Sequence, residues 1–510
     1  MTNGKHAVQE IAQSSAERSF AALGLRVDKR LSTPAYQQIV EGVQSALKNG
    51  GLAPGDSLPA MRTAAADLGV NQMTVSKAYK SLAAMGVVQG NSGGGTKVTD
   101  VKPLPLIAKS DSQPSASSIR QIVRMAELAC APGVIALTDA YPHFSASKLE
   151  SFRMCLNEVM SSGAESIFRY AAPAGIPELR KALKNLLGRG GLNIEADDII
   201  VTSGAQQALD MAARLILSPG DTIIVEGPCY FGALDSLRSL GASIVALQMQ
   251  PGGVAADAFR EACAAHSPKA FYTIPTVHNP TGFTTSLARR REILDIAKDY
   301  GCTIIEDDYC PELHFGNEKM PSYKELGAGE VDVYYVRSLG KIYLPGTRLG
   351  LLIPPAGAMT SALRLKQVTD MHGPLLLQAA AAIYLERYHD SDELAAELAL
   401  IEDKALSLFN ELERRLPETF SVKWITGGLS FWIEFPQALD DEAIYFSAIR
   451  NSVAFALGSA FEVASDAVSH GVRVSFGGLD HEQIIEGAAR LGSAMDGLLK
   501  DSKRSLNIMV

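Results

Sequence analysis

One lysine in this chain stands in a setting that suits covalent chemistry. The segment Ser338-Leu339-Gly340-Lys341-Ile342-Tyr343-Leu344-Pro345-Gly346-Thr347-Arg348-Leu349-Gly350 follows a run of β-branched and aromatic residues, and it sets an amine between the hydroxyl of Ser338 and the guanidinium of Arg348. A lysine amine forms a Schiff base with an aldehyde. Ser and Arg are residue types that grip a phosphate, Arg through charge-assisted forks worth about 1.5–3 kcal/mol each. Alone, such a lysine is more often a loop residue facing water, so the reading depends on what else the chain supplies.

The chain supplies the complementary parts of a site for pyridoxal 5'-phosphate. Ser203-Gly204-Ala205-Gln206-Gln207-Ala208 follows a strand-like run and opens a helical one, so the backbone N–H groups around Gly204, Ala205 and Gln206 can receive a phosphate at a positive helix end. Tyr230, in Gly227-Pro228-Cys229-Tyr230, can stack on a ring, and the amide of Asn279, in His278-Asn279-Pro280-Thr281-Gly282, can bond a phenolic oxygen. The run Ile304-Ile305-Glu306-Asp307-Asp308-Tyr309 carries most weight. An aspartate at a strand's carboxyl end, where open α/β sheets bind ligands, can keep a pyridine nitrogen protonated and so strengthen the ring as an electron sink. Asp307 has that position, and Tyr309 can bond the phenolic oxygen beside the reacting carbon. Each segment has an ordinary alternative: a strand-to-helix turn, a core tyrosine, a turn asparagine, a solvated acid at a strand end.

These residues need a sheet to hold them, and the composition allows one. The chain has 510 residues, 47% hydrophobic and 20% charged, with a mean hydropathy of +0.07, which excludes a mainly disordered or collagen-like chain. Strand-like runs at Ile199–Thr202, Thr222–Val225, Ile244–Leu247, Ala270–Ile274, Thr303–Glu306, Val333–Val336 and Leu349–Ile353 alternate with helix-length segments, which predicts an α/β domain built on a parallel sheet covered on both faces. After Ile353 come long helices through Leu416 and then strands at Gly428–Phe435 and Val472–Phe476, a smaller α+β part. The longest mostly apolar stretch, Pro374–Leu385, is far below the roughly 18 residues of a membrane span, and no signal-peptide core opens the chain, so a soluble cytoplasmic protein is expected. Six cysteines without a CxxC pair predict reduced thiols and no metal site.

The N-terminal part reads differently. Residues Asp28–Asp100 hold seven Lys/Arg against five Asp/Glu, which leaves −11 on the rest of a −9 chain. A mildly basic module is joined to an acidic body. Ala35–Lys48 has the stripe of one helix; a second follows Pro59 and is expected to bury Met61, Ala65 and Leu68; Gly69-Val70 turns, and Asn71 caps a third from Gln72 to Met85, closed by Gly86. Val75, Tyr79 and Leu82 face the core, leaving Gln72, Thr74, Ser76, Lys77 and Lys80 outward, types that contact base edges and phosphates. Val87-Val88-Gln89 and Lys97-Val98, around Asn91-Ser92-Gly93-Gly94-Gly95-Thr96, form a hairpin wing. A small helical domain with a solvated face is the bland reading of the same pattern. Pro- and Ser-rich residues 101–118 read as a linker, so the expected division is an extension over 1–26, a DNA-binding domain over 27–100, the linker, and a body over 119–505 with its large part at about 160–355 and its small part at about 356–505.

Two resemblances sharpen this. Pro34-Ala35-Tyr36-Gln37-Gln38-Ile39, Gly51-Leu52-Ala53-Pro54-Gly55-Asp56-Ser57-Leu58-Pro59, Leu68-Gly69-Val70-Asn71-Gln72-Met73-Thr74-Val75-Ser76-Lys77-Ala78-Tyr79 and the Gly95-Thr96 wing resemble the GntR-type winged helix-turn-helix, which implies double-stranded DNA as partner and Arg62 with the third-helix polar residues as contacts. Met61, where many members carry a polar residue, and a wing tip without arginine depart from that pattern. Tyr170 with Gly175 and Leu179-Arg180, Ser203-Gly204-Ala205, Tyr230, Asn279-Pro280-Thr281-Gly282, Asp307, Tyr309, Lys341, Arg348 and Arg473 follow the order and spacing of fold-type I aminotransferases over about residues 120 to 500. That resemblance implies that Tyr170 reaches the cofactor phosphate of a partner subunit and that Arg473 grips a substrate carboxylate. Gly340 departs from it, since a serine often precedes the lysine. The combination is similar to the MocR/GabR family of regulators, which implies a head-to-tail homodimer sensing a small amino compound or a vitamin B6 effector. A working class I/II aminotransferase with a secondary DNA-binding head, or a scaffold with a dead body, are the competing readings.

Overall fold

The computed structural model describes residues 20, 25–28, 35–48, 51–53, 55–84, 87–91, 95–99, 129, 131–138, 140–142, 145–162, 165–316, 319–327, 329–343, 345–389, 391–436, 439, 441–463 and 470–507. They divide into two compact units that meet in the chain at residues 112 and 113. The expected linker, helix end at Gly86 and wing tip at residues 92–94 lie outside the described residues.

The first unit is a winged helix. Helices α1 (Ala35–Lys48), α2 (Met61–Leu68) and α3 (Gln72–Ala84) pack against a small antiparallel sheet of β1 (Ser57–Leu58), β2 (Val88–Asn91) and β3 (Gly95–Val98), in the order β1-β3-β2. Val75, Ala78, Tyr79 and Leu82 of α3 are buried with Ile39, Val40 and Val43 of α1. Gly69 takes the left-handed conformation (φ 63°) that closes α2, and the Asn71 carboxamide oxygen caps α3 by accepting from the Thr74 N–H and hydroxyl, both at 2.7 Å. The Tyr79 hydroxyl donates to Pro59 O at 2.6 Å and pins α3 to the start of α2. Met61 departs from expectation. It is 45% exposed, and Ala64, Ala65 and Leu68 close the core, so the buried stripe starts one turn later than the periodicity predicts.

The second unit is built on two sheets. The larger has seven strands in the order β5-β11-β10-β9-β8-β6-β7: β5 (Ile200–Thr202), β6 (Thr222–Gly227), β7 (Ser243–Gln248), β8 (Ala270–Thr273), β9 (Thr303–Asp307), β10 (Val333–Ser338) and β11 (Gly350–Ile353). The β10-β9-β8-β6-β7 run is parallel; β8 is buried along its whole length and β9 at all but its first residue, as helices on both faces require. One expectation is corrected: β11 is antiparallel to both β10 and β5, because the Lys341 loop joins β10 to β11 as adjacent strands and turns the chain straight back.

The smaller sheet runs β12-β13-β15-β14-β4, with β12 (Ser421–Val422), β13 (Ser430–Glu434), β14 (Val453–Leu457) and β15 (Gly471–Ser475). Its outer strand β4 (Ile135–Leu137) comes from far earlier in the chain and pairs parallel with β14. The small part is therefore stitched from both ends of the unit. Helix Leu375–Tyr388, the apolar stretch noted above, lies buried against helices Ala146–Ser161 and Pro177–Arg189, and no helix among the described residues is long and apolar enough to cross a membrane.

Candidate cofactor site and DNA-facing surface

The carboxyl ends of the parallel strands open into a cavity of about 130 Å³ lined by Ala205, Gln206, Leu209, Tyr230, Ile274, Asn279, Asp307, Tyr309, Ser338, Lys341 and Arg348. Residues separated by up to 143 positions in the chain converge here because β5, β6, β8, β9 and β10 all end on this side. Gly204 borders the cavity as the cap of helix Ala205–Ile216, with φ 88°, and a Cβ there would come within 3.1 Å of the Arg348 guanidinium. Only glycine lets the helix N-terminus and Arg348 approach one another.

The polar atoms are held in place. The Gln206 amide donates to Gly232 O at 2.7 Å and to Ser236 Oγ at 3.0 Å, while its oxygen accepts from the Tyr230 hydroxyl at 3.2 Å. The Ser338 hydroxyl oxygen accepts from the Gly340 N–H at 3.0 Å. Asp307 is 5% exposed: its Oδ2 accepts from the Tyr272 hydroxyl at 3.0 Å, and its Oδ1 is buried with no protein partner. Burial pushes its carboxyl up to about 7, against the pull of the Tyr272 hydroxyl. Burial also lowers the Lys341 amine to about 8, assisted by the charge of Arg473. Lys341 Nζ donates to Ala140 O at 2.9 Å. Burial raises the phenols of Tyr309 and Tyr230, the latter to about 12, so both keep their protons.

Arg473 lies beside this cavity rather than in its lining. It is 7% exposed on β15, stacked 5.2 Å over the Phe461 ring, and donates to Asn279 Oδ1 at 3.1 Å and Thr138 O at 3.0 Å. Tyr170 stands apart, 85% exposed, edge-on to His372 at 6.1 Å. Three contributors were missed in the sequence: Tyr272, which looked like ordinary strand apolarity, and Thr138 and Ala140, which act through backbone carbonyls and so leave no side-chain signal. Among the described residues no cluster of His, Cys, Asp and Glu is placed to hold a metal.

The residues present fit pyridoxal 5'-phosphate. An unpaired, buried Asp307 oxygen suits a ring N–H, a helix N-terminus with Ser338 and Arg348 suits a phosphate, and a lysine with a lowered pKa suits an aldehyde.

On the first unit, Arg62, Gln72, Lys77 and Lys80 are exposed, whereas Thr74 and Ser76 are half-buried. Thr74 spends its hydroxyl on Asn71, and the Lys77 ammonium sits 4.1 Å over the Tyr36 ring.

Fold and cavity together define a fold-type I, pyridoxal-phosphate-dependent transferase body joined to a winged helix. The chain belongs to the aminotransferase class I and II family, whose model matches residues 138–491, and residues 35–98 match the gntR family of bacterial regulatory proteins. It is 29% identical over 404 residues to the 2-aminoadipate transaminase of Thermus thermophilus, covering 78% of this chain and 99% of that one. It is 27% identical over 478 residues to the probable rhizopine catabolism regulatory protein MocR of Rhizobium meliloti, covering 92% of this chain and 95% of that one. Among solved structures it is similar to the α-aminoadipate aminotransferase LysN of Thermus thermophilus complexed with N-(5'-phosphopyridoxyl)-L-leucine, with a TM-score of 0.69, 27% identity, and coverage of 76% of this chain and 98% of that one.

Proposed function

We propose that the protein is a cytoplasmic, DNA-binding transcriptional regulator of the MocR type whose large unit senses an amino compound through pyridoxal 5'-phosphate. One observation carries the reading: a winged helix with an exposed polar helix face shares a chain with an aminotransferase-like pocket lined by Gln206, Tyr230, Asn279, Asp307, Tyr309, Ser338, Lys341 and Arg348. The similarity to MocR runs through both units.

Bound pyridoxal 5'-phosphate supplies an aldehyde carbon to which amines add reversibly. Around it, the Ala205–Ile216 helix N-terminus, Ser338 and Arg348 would hold the phosphate, Asp307 Oδ1 would hold a proton at the ring nitrogen, Tyr230 would pack on the ring, and Asn279 and Tyr309 would bond the phenolic oxygen. Lys341 presents its amine, and its lowered pKa of about 8 leaves roughly a tenth of it uncharged at pH 7, far more than an ordinary lysine offers. Arg473 receives an effector carboxylate, exchanging Asn279 and Thr138 for it. Tyr170, exposed here, reaches the phosphate of the partner subunit in a head-to-tail homodimer. To drive a regulatory population from 1:99 to 99:1, the effector must favour one arrangement of the heads by about 5.5 kcal/mol.

The test is DNA binding by the purified protein with and without pyridoxal 5'-phosphate, followed by a panel of amino acids. Unchanged binding throughout removes the sensor reading. The intact pocket also supports a second reading, a working aminotransferase. Multiple turnovers with amino and 2-oxo acids at about 1 per second or above favour it.

A further inference from the structure

We propose that Met73 reads thymine methyl groups in the major groove and so sets part of the DNA specificity. The proposal rests on the DNA-binding reading of the first unit. Met73 is the second residue of α3 and is 81% exposed, a large apolar side chain left in water on a helix whose other large apolar residues, Val75, Tyr79 and Leu82, are buried. Leaving it there gains nothing for the fold, since the core closes without it.

Its neighbours narrow the possibilities. In a helix-turn-helix, the first turn of the recognition helix meets the base edges. Of the residues in that turn, Asn71 and Thr74 are tied to each other as the helix cap, and Val75 is in the core, which leaves Gln72 and Met73 as the side chains projecting freely from the tip. Gln72 brings hydrogen-bonding atoms, for which an adenine edge is the natural match. Met73 brings none. The single apolar group that a base pair presents in the major groove is the thymine C5 methyl, and a flexible, polarisable thioether adapts well to it. Adenine and thymine are partners in one base pair, so adjacent Gln72 and Met73 together suit A·T-containing steps.

The experiment selects duplexes from a random pool with the full-length protein and then replaces thymines in the enriched site one at a time by deoxyuridine, which removes the methyl and leaves every hydrogen-bonding atom. The expected result is a loss of about fourfold in affinity at one or two positions per half-site, the worth of one buried carbon group. Met73→Ala should bind the thymine duplex weaker by a similar factor and lose its sensitivity to uracil, while Met73→Leu keeps it. Because the side chain is exposed, both variants should melt with the wild type. If wild type ignores every uracil, or Met73→Ala retains the full uracil penalty, the assignment to Met73 is overturned while DNA binding stands. If no duplex is enriched, the DNA-binding reading falls and the proposal falls with it.

Discussion

Asp307 and Asp308 are consecutive, yet they serve opposite sides of the sheet. Asp307 lines the cofactor cavity and accepts from Tyr272 of β8 at 3.0 Å, whereas Asp308 lines a separate cavity of about 400 Å³ with Glu312 and Arg337 and accepts from Tyr335 of β10 at 2.8 Å. The same alternation recurs next door, where Ser338 belongs to the first cavity and Arg337, paired with Glu312, to the second. The wall behind the cofactor site is thus braced by tyrosines and an ion pair on its far side, and strand pleating alone produces the division.

Removing the Asp307 charge should stabilise the empty protein and weaken its hold on cofactor. The folded carboxyl titrates near 7 against an ordinary 3.8, so the folded state binds more protons between those values and stability falls as pH rises through them. In Asp307→Asn that loss is gone. Cofactor-free variant should melt above wild type at pH 8, by at most roughly 4 kcal/mol, with the gap closing towards pH 4, and it should release pyridoxal 5'-phosphate faster on dialysis. A gap that widens in acid would refute the assignment.

Capture of pyridoxal 5'-phosphate by Lys341 should accelerate with pH and reach half its maximum near pH 8, followed by the visible absorbance of the product. Burial depresses the amine most and Arg473 next, so Arg473→Gln should move the midpoint to higher pH. Lys341→Ala should stay colourless.

Lys148 clamps the loop that carries Lys341: its ammonium bonds Ile342 O and Glu397 Oε2, the latter at 2.6 Å, with the two side chains 6% and 15% exposed. Lys148→Met strands a buried carboxylate and should cost about 3 kcal/mol in thermal or urea unfolding. Adding Glu397→Leu should restore most of it. A double variant no better than the single one would mean that the carbonyl contact, rather than the ion pair, carries the effect.

On the winged helix, Lys80→Ala and Lys77→Ala should each weaken DNA binding and lower the slope of log affinity against log salt by about 0.9 if each neutralises one phosphate. Lys77 must leave the Tyr36 ring to do so, which predicts a smaller loss of affinity at Lys77 than at Lys80 in the same titration.

Much of this site is legible in the sequence because its side chains are chemically distinctive and sit at strand ends. Asp307, Asn279, Ser338, Lys341 and Arg348 could be singled out from residue type and position, and the cavity gathers them. The three helices of the first unit were equally readable, since apolar spacing and the Asn71 cap act locally. What escaped depends on contacts distant in sequence. Nothing local marks Ile135–Leu137 as the outer strand of a sheet formed 300 residues later, or β11 as an antiparallel strand inside a parallel sheet. Tyr272 is invisible for a related reason: a strand tyrosine reads as core until its hydroxyl is seen to meet Asp307.

Directly after β4, the carbonyls of Thr138 and Ala140 hold Arg473 and Lys341, the two side chains that incoming ligands must draw away. A ligand that drew both side chains away would free two backbone carbonyls two residues apart, on the segment that leads out of the outer strand of the smaller sheet.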